Sequence, residues 1–379
     1  MSQPITWLSI VGARPQFIKL APLVRSINAH NASQAQQIQH IIIHTGQHYD
    51  KGLSDVFFAE LQIPAPDHHL GVGSGSHGAQ TAKMLEAIEG IFLASRPDMV
   101  IVFGDTNSTL AGAIAATKLH IPIAHIEAGL RSFNRKMPEE INRILTDHAS
   151  DLLLAPTVTA VKHLTDEGLS ERTIATGDIM YDTVLQNSVI AAEHSTILAD
   201  NGLKQHEYAL VTMHRPSNTD NPERLKAILD TLNEIADTEF PLVLPLHPRT
   251  KARLASFNLD WTPSPNFKFI EPVGYLDMMQ LMSQARMALT DSGGLQKEAF
   301  FLNTPCVTMR EETEWDDTIN AGANVLTGAD PALIRQAVKD WQSKLAEGRP
   351  DFTAAAQASF GDGHAADQIR DVILDWMKK

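Results

Sequence analysis

The sequence predicts an α/β protein made of two doubly wound domains, each with a parallel sheet covered by helices on both faces. Three observations lead to this prediction. The chain has 379 residues, whereas a single hydrophobic core stops growing near roughly 250–300 residues. Short apolar runs of strand length alternate with helical patterns along the chain. The sequence has no fixed-period repeat, so neither a solenoid nor a propeller is expected.

The first alternation of strands and helices ends near residue 176. It opens with the apolar strand Ile5–Val11, and the turn Gly12-Ala13-Arg14-Pro15 leads into a helix, since proline suits the first helical position. Further apolar runs follow at strand and helix spacing. We expect the other strands at 38–43, 99–103, 121–126, 151–155 and 173–176, and the other helices at 77–95, at 107–119, from Pro138 and after Thr157.

A second alternation begins with the strand Tyr208–Thr212, after a long helical stretch from Tyr181 to near Ala199. We place an N-terminal domain at 1–171 plus 362–379 and a C-terminal domain at 172–361, with the ligand cleft between them. The final helix, Ala365–Met377, is expected to return to the N-terminal domain. The other strands are expected at 242–246, 267–270, 287–290, 306–309 and 325–327, and helices after Asn221 and at 293–302.

Composition excludes several classes of protein. The chain has 31 Lys and Arg against 45 Asp and Glu, a net charge of −14, which argues against broad binding to nucleic acid or to an anionic membrane surface. Its single cysteine, Cys306, excludes an internal disulfide and a cysteine-built zinc site. No run approaches the ~20 apolar residues of a membrane span, and Met1–Trp7 lacks the basic start of a signal peptide. We expect a cytoplasmic enzyme or binding protein, with a small anionic ligand still possible.

Two strand-to-helix turns are candidate anion sites. In the first, Arg14 and Lys19 accompany backbone N–H groups at a helix start, although a tight turn with solvated basic residues is the alternative. In the second, Thr290-Asp291-Ser292-Gly293-Gly294 lets the backbone approach a ligand at a helix start. Glu298 lies about one turn inside that helix, where it can accept hydrogen bonds from ribose hydroxyls or act as a capping carboxylate.

Carboxylates at strand ends are candidate acids and bases. Asp105 and Glu127 each follow a predicted strand, and Glu139-Glu140 opens a helix. Burial and like charges at such positions can raise a pKa enough for proton transfer. The alternatives are helix capping for the paired glutamates and an ion pair with Arg131 for Glu127.

Histidines give one further candidate. His214-Arg215 follows the strand Tyr208–Thr212, where the pair can clamp phosphate oxygens and ease departure of a leaving group. A structural histidine is the alternative. His44 and His48 have i, i+4 spacing but flank a loop, so we expect no metal site there.

Two remaining features have ordinary structural interpretations. His68 and His69 are expected in a loop. Cys306 follows Pro305 at the start of a predicted buried strand, which indicates a core residue rather than a nucleophile.

Six motifs, taken in order and spacing, identify a family. They are Gly12-x-Arg14-Pro15-x3-Lys19, Gly104-Asp105-Thr106, His125-x-Glu127-Ala128-Gly129-Leu130-Arg131, Pro138-Glu139-Glu140-x-Asn142-Arg143, His214-Arg215 and Asp291-Ser292-Gly293-Gly294-x3-Glu298. Together they closely resemble the non-hydrolysing UDP-N-acetylglucosamine 2-epimerases, over residues 5 to 375. The resemblance implies the glycosyltransferase B fold of two Rossmann-like domains, a UDP-sugar substrate, no cofactor, no metal and a homodimer.

The resemblance also implies roles for individual residues. Departure of UDP, formation of a 2-acetamidoglucal and readdition of UDP would convert UDP-N-acetylglucosamine to UDP-N-acetylmannosamine. The implied catalytic residues are Asp105, Glu127, Glu139, His214 and Lys19. The implied substrate-binding residues are Arg14, Lys19, His214, Arg215, Ser292, Gly293, Gly294, Glu298 and Arg310.

Departures from the family pattern favour a branch with another substrate. The common stretch Thr-Glu-Arg-Pro-Glu is Thr313-Glu314-Trp315-Asp316-Asp317 here, and a His-x-Asn-Pro pattern is His247-Pro248-Arg249-Thr250. The basic stretch 132–136 contains Arg135 and Lys136, which suit a uronate, with a solvated loop as the alternative. These differences resemble the enzymes acting on UDP-2,3-diacetamido-2,3-dideoxyglucuronate.

A second, activating UDP-sugar site is only partly matched. Gln47 and His48 fit the family's activator site, whereas Tyr49 and Asp50 do not match its usual basic residue. We therefore do not expect self-activation.

Three alternatives remain open. A glycosyltransferase of the same fold would need an acceptor groove. A hydrolysing relative would release free N-acetylmannosamine and UDP. An inactive nucleotide-sugar sensor would keep Arg14 and Ser292 but lose the acids, whereas Asp105, Glu127 and Glu139 are all present.

Overall fold

The computed structural model describes residues 4–47, 58, 60–257, 259 and 261–378. These residues form two compact units, the first Met1–Thr183 with Gln357–Lys379 and the second Val184–Ala356. The domain boundaries expected from the sequence, 1–171 with 362–379 and 172–361, stay a prediction.

The first unit is built on a seven-stranded parallel sheet with the strand order β3-β2-β1-β4-β5-β6-β7. Its central strands are fully buried, as expected for a sheet covered on both faces. The strands are β1 (Ile5–Val11), β2 (Ile38–His44), β3 (His68–His69), β4 (Met99–Phe103), β5 (Ile123–Ile126), β6 (Leu152–Ala155) and β7 (Thr173–Ala175).

The second unit contains a six-stranded parallel sheet with the strand order β10-β9-β8-β11-β12-β13. Its strands are short and mostly buried. They are β8 (Ala209–Thr212), β9 (Leu242–Pro245), β10 (Phe267–Ile270), β11 (Ala288–Thr290), β12 (Cys306–Thr308) and β13 (Asn324–Leu326).

Helices connect the strands. The helix Asn107–Lys118 packs closely on β1, since a Cβ added at Gly112 would be 2.3 Å from Ile10 Cδ1. The helices are α1 (Arg14–Ser33), α2 (His77–Ser95), α3 (Asn107–Lys118), α4 (Pro138–Ala149), α5 (Val158–Asp166), α6 (Ile179–His194), α7 (Ile197–Asp200), α8 (Pro216–Thr219), α9 (Pro222–Thr238), α10 (Pro248–Phe257), α11 (Tyr275–Ser283), α12 (Gly293–Phe301), α13 (Asp316–Asn320), α14 (Pro331–Glu347), α15 (Thr353–Phe360) and α16 (Ala365–Trp376).

The predicted fold class is confirmed, with two corrections to individual elements. The helical stretch expected from Tyr181 to near Ala199 is two helices, α6 and α7, because the chain leaves the helix between His194 and Ile197. His68 and His69 were expected in a loop, but they pair with the end of β2 as a short edge strand.

Each sheet has the order of the doubly wound dinucleotide-binding fold, in which the direction of winding reverses between the first and fourth strands. The reversals fall between β1 and β4 in the first unit and between β8 and β11 in the second. Ligands of such sheets bind beyond the carboxyl ends of the strands at this point. The loops after these strands are therefore where functional side chains are expected.

The last helix, α16, lies against α1 within the first unit. Ser26 Oγ donates to Asp367 Oδ1 at 2.6 Å, and the Asp182 carboxylate accepts from the backbone N–H groups of Ala365 and Ala366 at the start of α16. Both ends of the chain thus contribute to this unit. No helix among the described residues is long and apolar enough to cross a membrane.

Candidate functional site

The turn after β1 is closed by Gln16. Its Oε1 accepts from the N–H groups of Gly12 and Ala13 at 2.8 and 3.1 Å, and its Nε2 donates to Phe103 O and Thr109 Oγ1. A side chain of the same helix thus occupies these two N–H groups, and the expectation of an anion site at this turn stays a prediction. Arg14 is exposed at the first position of α1.

A buried ion pair lies beyond the carboxyl ends of β1 and β5. Lys19 Nζ is 2.6 Å from Glu127 Oε2, and less than a tenth of either side chain is exposed. Glu127 has φ +70°, a left-handed conformation that is uncommon outside glycine and that clusters at functional sites. Gly104 leaves room for the pair, since a Cβ added there would lie 3.1 Å from Lys19 Nζ.

Arg131 does not pair with Glu127, so that alternative from the sequence is wrong. Its guanidinium instead contacts Asp147 Oδ2 at 2.7 Å through Nη1, and Glu167 Oε1 at 2.7 Å through Nε. Lys19 is the cation that reaches Glu127.

Asp105 follows β4 and lies against Arg143 of α4, with 2.5 Å between Oδ2 and Nη1. Burial raises the pKa of Asp105 above its ordinary value, and the Glu127 and Glu139 charges act in the same direction, whereas Arg143 and Lys19 oppose them. Two acids with one raised pKa are an arrangement suited to proton transfer.

The paired glutamates at the start of α4 have different surroundings. Glu140 is buried and accepts from the backbone N–H groups of Ser132 and Phe133 and from Arg143 Nη2. Burial alone would raise the pKa of Glu140, but these hydrogen bonds and the Arg143 charge lower it overall. Glu140 therefore fixes the preceding loop, whereas Glu139 is exposed in the first helical turn and keeps its candidate role as an acid or base.

A fully buried network supports the turns after β4 and β5, and its acid, Asp147, was not predicted from the sequence. His125 Nδ1 is 2.7 Å from Asp147 Oδ1, and His125 Nε2 is 2.8 Å from Gly104 O. Asp147 Oδ2 also accepts from Gly129 N at 3.1 Å. The only signal in the sequence is an acid near the end of an otherwise ordinary helix, which by itself predicts a solvated residue.

Asp291, a fully buried acid of the second unit, binds the backbone of the loop after β8. Its carboxylate accepts from His214 N at 3.0 Å, from Arg215 N at 3.0 Å and from Asn218 Nδ2 at 3.2 Å. His214 Nδ1 also lies 3.4 Å from Asp291 Oδ1. The structure thus brings together His214-Arg215 and the Asp-Ser-Gly-Gly motif, as expected for neighbouring parallel strands.

The first turn of α12 offers the second anion site. Ser292 caps the helix through Leu295 N. A Cβ added at Gly293 would lie 3.4 Å from Arg310 Nη1, 3.6 Å from Arg215 Nη2 and 3.1 Å from Glu314 Oε1. Two guanidinium groups therefore lie beside a helix start, which is suited to a phosphate.

Arg310 is well buried, and its contact with Glu314 is 3.1 Å between Nη2 and Oε2. Among the described residues, its Nη1 has no hydrogen-bond partner. Gly294 faces open space at the same turn, and Glu298 is buried one turn further along α12. Arg310 Nη1 and the accessible backbone at Gly294 make the start of α12 suited to binding an anion.

Comparison with known proteins assigns the chain to a family. The sequence profile described as UDP-N-acetylglucosamine 2-epimerase matches residues 30–374. The chain belongs to the UDP-N-acetylglucosamine 2-epimerase family. The resemblance inferred from the six motifs is confirmed.

Two relatives and one solved structure show how close the similarity is. The UDP-2,3-diacetamido-2,3-dideoxy-D-glucuronate 2-epimerase of Pseudomonas aeruginosa is 46% identical over 355 residues, 93% of this chain and 96% of that protein. A UDP-N-acetylglucosamine 2-epimerase homolog of Methanococcus maripaludis is 45% identical over 372 residues, 97% of this chain and 98% of that protein. The crystal structure of the Methanocaldococcus jannaschii UDP-GlcNAc 2-epimerase in complex with UDP-GlcNAc and UDP matches with a TM-score of 0.87 and 41% identity, covering 98% of this chain and 100% of that one.

The structure describes only the first residue, Gln47, of the stretch 47–50 compared with the family's activator site. Gln47 Oε1 accepts from Ser108 N at 3.0 Å and from Ser108 Oγ at 2.8 Å, so its amide oxygen is directed toward α3. His48, Tyr49 and Asp50 lie outside the described residues. The expectation about self-activation stays a prediction.

The structure also describes His44 and Cys306, for which the sequence predicted no metal site and a core position. His44 Nδ1 accepts from Gly46 N at 2.9 Å, and in the described part of the chain no three His, Cys, Asp or Glu side chains are grouped to hold a metal ion. Cys306 is buried in β12, and burial raises its pKa to about 12. The prediction that this cysteine is a core residue is confirmed.

Proposed function

We propose that this chain is an isomerase that inverts carbon 2 of a UDP-2-acetamido sugar, converting UDP-N-acetylglucosamine to UDP-N-acetylmannosamine. The observation that carries the proposal is the pair of carboxylates Glu127 and Asp105 at neighbouring strand ends, each in contact with a buried cation. Membership of the epimerase family supports the same reaction.

The chemistry explains why such a site needs both a phosphate clamp and carboxylates. Carbon 2 is not next to a carbonyl, so its proton is far too weakly acidic for direct removal by a carboxylate. When the bond between carbon 1 and the glycosyl oxygen breaks, its electron pair leaves with UDP and carbon 1 becomes cation-like. A carboxylate then takes the carbon 2 proton, and the electrons of the C–H bond form the double bond of 2-acetamidoglucal.

The reverse steps complete the inversion. An acid returns a proton to carbon 2 on the other face of the ring, and the UDP oxygen bonds again to carbon 1. No atom or electron is gained or lost, so the reaction requires no oxidant or reductant. Acid–base catalysis by positioned carboxylates typically contributes about 10²–10⁴-fold to such a step.

The nucleotide is assigned to residues of the second unit. In the second unit, we assign Arg215, Ser292, Gly293, Gly294 and Arg310 to the diphosphate, because the two guanidinium groups and the α12 start meet at Gly293. Glu298 is assigned to the ribose. His214, fastened by Asp291, is assigned to the departing UDP oxygen.

The first unit supplies the proton chemistry. We assign Asp105, Glu127 and Glu139 as the acid and base carboxylates. Lys19 holds Glu127 and contributes charge near the substrate. We assign Arg14, exposed at the start of α1, to the diphosphate and sugar.

An inactive sensor is less consistent with this geometry, since a binding protein has no need for a raised pKa at Asp105 beside a second buried acid. A glycosyltransferase of the same fold would transfer the sugar to an acceptor. It would leave the carbon 2 hydrogen in place.

Reaction in deuterium oxide tests the proposal. The purified chain is incubated with UDP-N-acetylglucosamine, and proton NMR follows carbon 2 of both UDP-sugars. We expect the carbon 2 proton signal to disappear as the second epimer forms, with UDP-glucose, which lacks the acetamido group, as a control substrate. An epimer without deuterium contradicts the elimination route, and free N-acetylmannosamine indicates a hydrolase.

A second candidate substrate is the UDP-2,3-diacetamido-2,3-dideoxyglucuronate on which the Pseudomonas aeruginosa relative acts by its name. The observation in its favour is Trp315, which is buried with Lys297 Nζ 3.7 Å from the ring centre, where the usual family stretch has an arginine. Arg135 and Lys136 are exposed in the loop before α4 and suit a uronate.

Parallel assays separate the two substrates. Both UDP-sugars are supplied to the same enzyme preparation, and kcat/KM is measured for each. The substrate with the higher kcat/KM identifies the branch. Replacing Arg135 and Lys136 by Gln lowers kcat/KM selectively for the uronate if these residues bind its carboxylate.

We also propose that the chain works as a homodimer, which the family resemblance supports. Light scattering coupled to gel filtration measures the mass directly. A mass near twice the 41.6 kDa of the chain is expected.

A further inference from the structure

A continuous line of buried contacts joins the two backbone turns that carry Asp105 and Glu127. At its centre is His125 of β5, whose Nε2 lies 2.8 Å from the carbonyl oxygen of Gly104, the residue before Asp105. Its Nδ1 lies 2.7 Å from Asp147 Oδ1. Neither His125 nor Asp147 is exposed to solvent.

Both ring nitrogens of His125 lie within hydrogen-bond distance of an oxygen. A carbonyl oxygen has no hydrogen to give, so Nε2 donates to Gly104 O. Burial would raise the pKa of Asp147, but the charges and hydrogen bonds of His125 and Arg131 outweigh it and keep the pKa below its ordinary value. The other ring nitrogen, Nδ1, is hydrogen-bonded to Asp147 Oδ1, so the ring joins the Gly104 carbonyl to Asp147.

The second oxygen of Asp147 holds the other turn. Asp147 Oδ2 accepts from Gly129 N at 3.1 Å and from Arg131 Nη1 at 2.7 Å. Glu127 and Gly129 have φ values of +70° and +84°. A glutamate in the left-handed region persists only where its surroundings fix it. Gly129 and Arg131, which contact Asp147, follow Glu127 closely in the chain.

Asp147 has two partners besides backbone. It contacts the ring of His125 and the guanidinium of Arg131, and Arg131 is also paired with Glu167, the residue that follows α5. A carboxamide in place of Asp147 would offer one oxygen instead of two and place an NH₂ group against either His125 or the Gly129 and Arg131 donors. One of the two turns would then lose its support.

We propose that Asp147 is a positioning residue which, through His125 and the Gly129 N–H, fixes the Gly104–Asp105 and Glu127–Gly129 turns in a common geometry. Asp147 touches no reacting atom. Its effect on catalysis rests on the proposed epimerase function, whereas its effect on the two turns does not.

The functional test compares Asp147→Asn with the matched variant Asp151→Asn. Asp151 also binds backbone of β5, since its Oδ2 accepts from Ile123 N at 2.9 Å, but at the opposite end of the strand. We expect kcat of Asp147→Asn to fall about 100-fold, as a displacement near 1 Å can produce, while KM and the affinity for UDP change by less than about threefold. Asp151→Asn should keep kcat within about threefold of wild type.

Amide hydrogen exchange measured by mass spectrometry gives a readout independent of activity. In Asp147→Asn, peptides covering 104–106 and 127–131 should exchange faster than in wild type, whereas peptides of β8 in the second unit should not change. Asp151→Asn should leave both turns protected. If wild type has no epimerase activity, the proposed function fails, and the exchange pattern still decides the positioning role.

Two results would overturn the proposal. One is a folded Asp147→Asn variant with wild-type kcat and unchanged exchange at both turns. If that variant does not fold, His125→Gln replaces it, because glutamine can bond to Gly104 O or to Asp147 but not span both. A folded His125→Gln variant with wild-type kcat and protected turns is the second such result.

Discussion

Lys19 Nζ and Glu127 Oε2 lie 2.6 Å apart in a position almost closed to water. The ammonium group is therefore already paired with a carboxylate, and its charge is not freely available to a phosphate. In the proposed reaction, the diphosphate is bound chiefly by Arg215, Arg310 and the start of α12, which surround Gly293. Lys19 instead sets the electrostatic environment of the acid that it contacts.

Replacing either proposed acid by its amide should abolish turnover. Glu127→Gln and Asp105→Asn lose the group that accepts or returns the carbon 2 proton, and we expect kcat to fall at least about 10²-fold. The glutamine oxygen can still accept from Lys19, so the fold and the affinity for UDP should persist. Steady-state kinetics and calorimetric titration with UDP provide the measurements.

Asp166→Asn is the control for these amides. Within the part of the chain that the structure describes, Asp166 pairs only with Lys162 on the surface of α5, so this change should leave kcat near the wild-type value. Near-normal turnover by Glu127→Gln or Asp105→Asn would show that the acid and base have been assigned to the wrong residues.

Adding one methyl group at Gly293 should weaken UDP binding. The new Cβ would lie 3.1 Å from Glu314 Oε1, which must shift by a few tenths of an ångström, and 3.4 Å from Arg310 Nη1, where the methyl group would occupy space beside the guanidinium. We expect Gly293→Ala to lower the affinity for UDP at least about tenfold, equal to 1.4 kcal/mol.

Gly294→Ala is the companion variant, because it adds the same methyl group to open space and keeps the backbone N–H. Its affinity for UDP should fall by less than that of Gly293→Ala. Equal losses of UDP affinity in the two variants would show that steric crowding at Gly293 does not determine the affinity.

The stability of the first unit should depend on Asp182. Burial raises the pKa of this acid from 3.8 to about 6, against the opposing effect of the Ala365 and Ala366 N–H groups. Between these values the folded chain holds a proton that the unfolded chain has released, so stability falls as pH rises. From pH 5 to 7.5 we expect Asp182 to reduce the free energy of unfolding by about 1 kcal/mol.

Urea unfolding of wild type and Asp182→Asn across this pH range measures that contribution. The difference between the two should change by the stated amount, whereas Asp367→Asn, a change at a half-exposed acid of α16, should run parallel to wild type. A constant difference between wild type and Asp182→Asn would exclude the raised pKa.

Cys306 should resist alkylation in the folded chain. It is buried in β12, and burial raises its pKa to about 12, so almost no thiolate forms at pH 8. We expect iodoacetamide to label it only after unfolding, as followed by mass spectrometry. Since it is the single cysteine of the chain, rapid labelling without denaturant would show directly that this strand opens.

Much of the fold followed from periodicity. Strands such as Ile5–Val11 and Met99–Phe103 were predicted with their observed bounds, because a buried parallel strand is a short apolar run between turns. The break between α6 and α7 was missed, since residues on both sides of it suit a helix equally. The pairing of His69 with β2 was missed as well, because an edge strand of two residues has no period.

Candidate site residues could be predicted from the sequence where they directly follow a strand. Their roles could not be predicted where these depend on contacts between residues distant in the chain. The sequence placed Glu139 and Glu140 side by side but could not show that only Glu140 turns inward to the Ser132 and Phe133 N–H groups. It marked Glu127 yet offered the wrong cation, because Lys19 is more than a hundred residues away in the chain. Asp147 was overlooked for the same reason: its partners meet only after folding.

The contribution of α16 to the first unit has a consequence for how the chain is made. Residues 357–379 complete a unit whose other part ends at Thr183, so a ribosome finishes the whole second unit before the first can close around its last helix. The second unit is continuous in sequence and can fold as it emerges. Until α16 is made, the Asp182 carboxylate lacks the donor Ala365 N–H and the Ser26 hydroxyl lacks its acceptor Asp367. A nascent chain stalled just short of residue 365 should therefore expose α1 to protease.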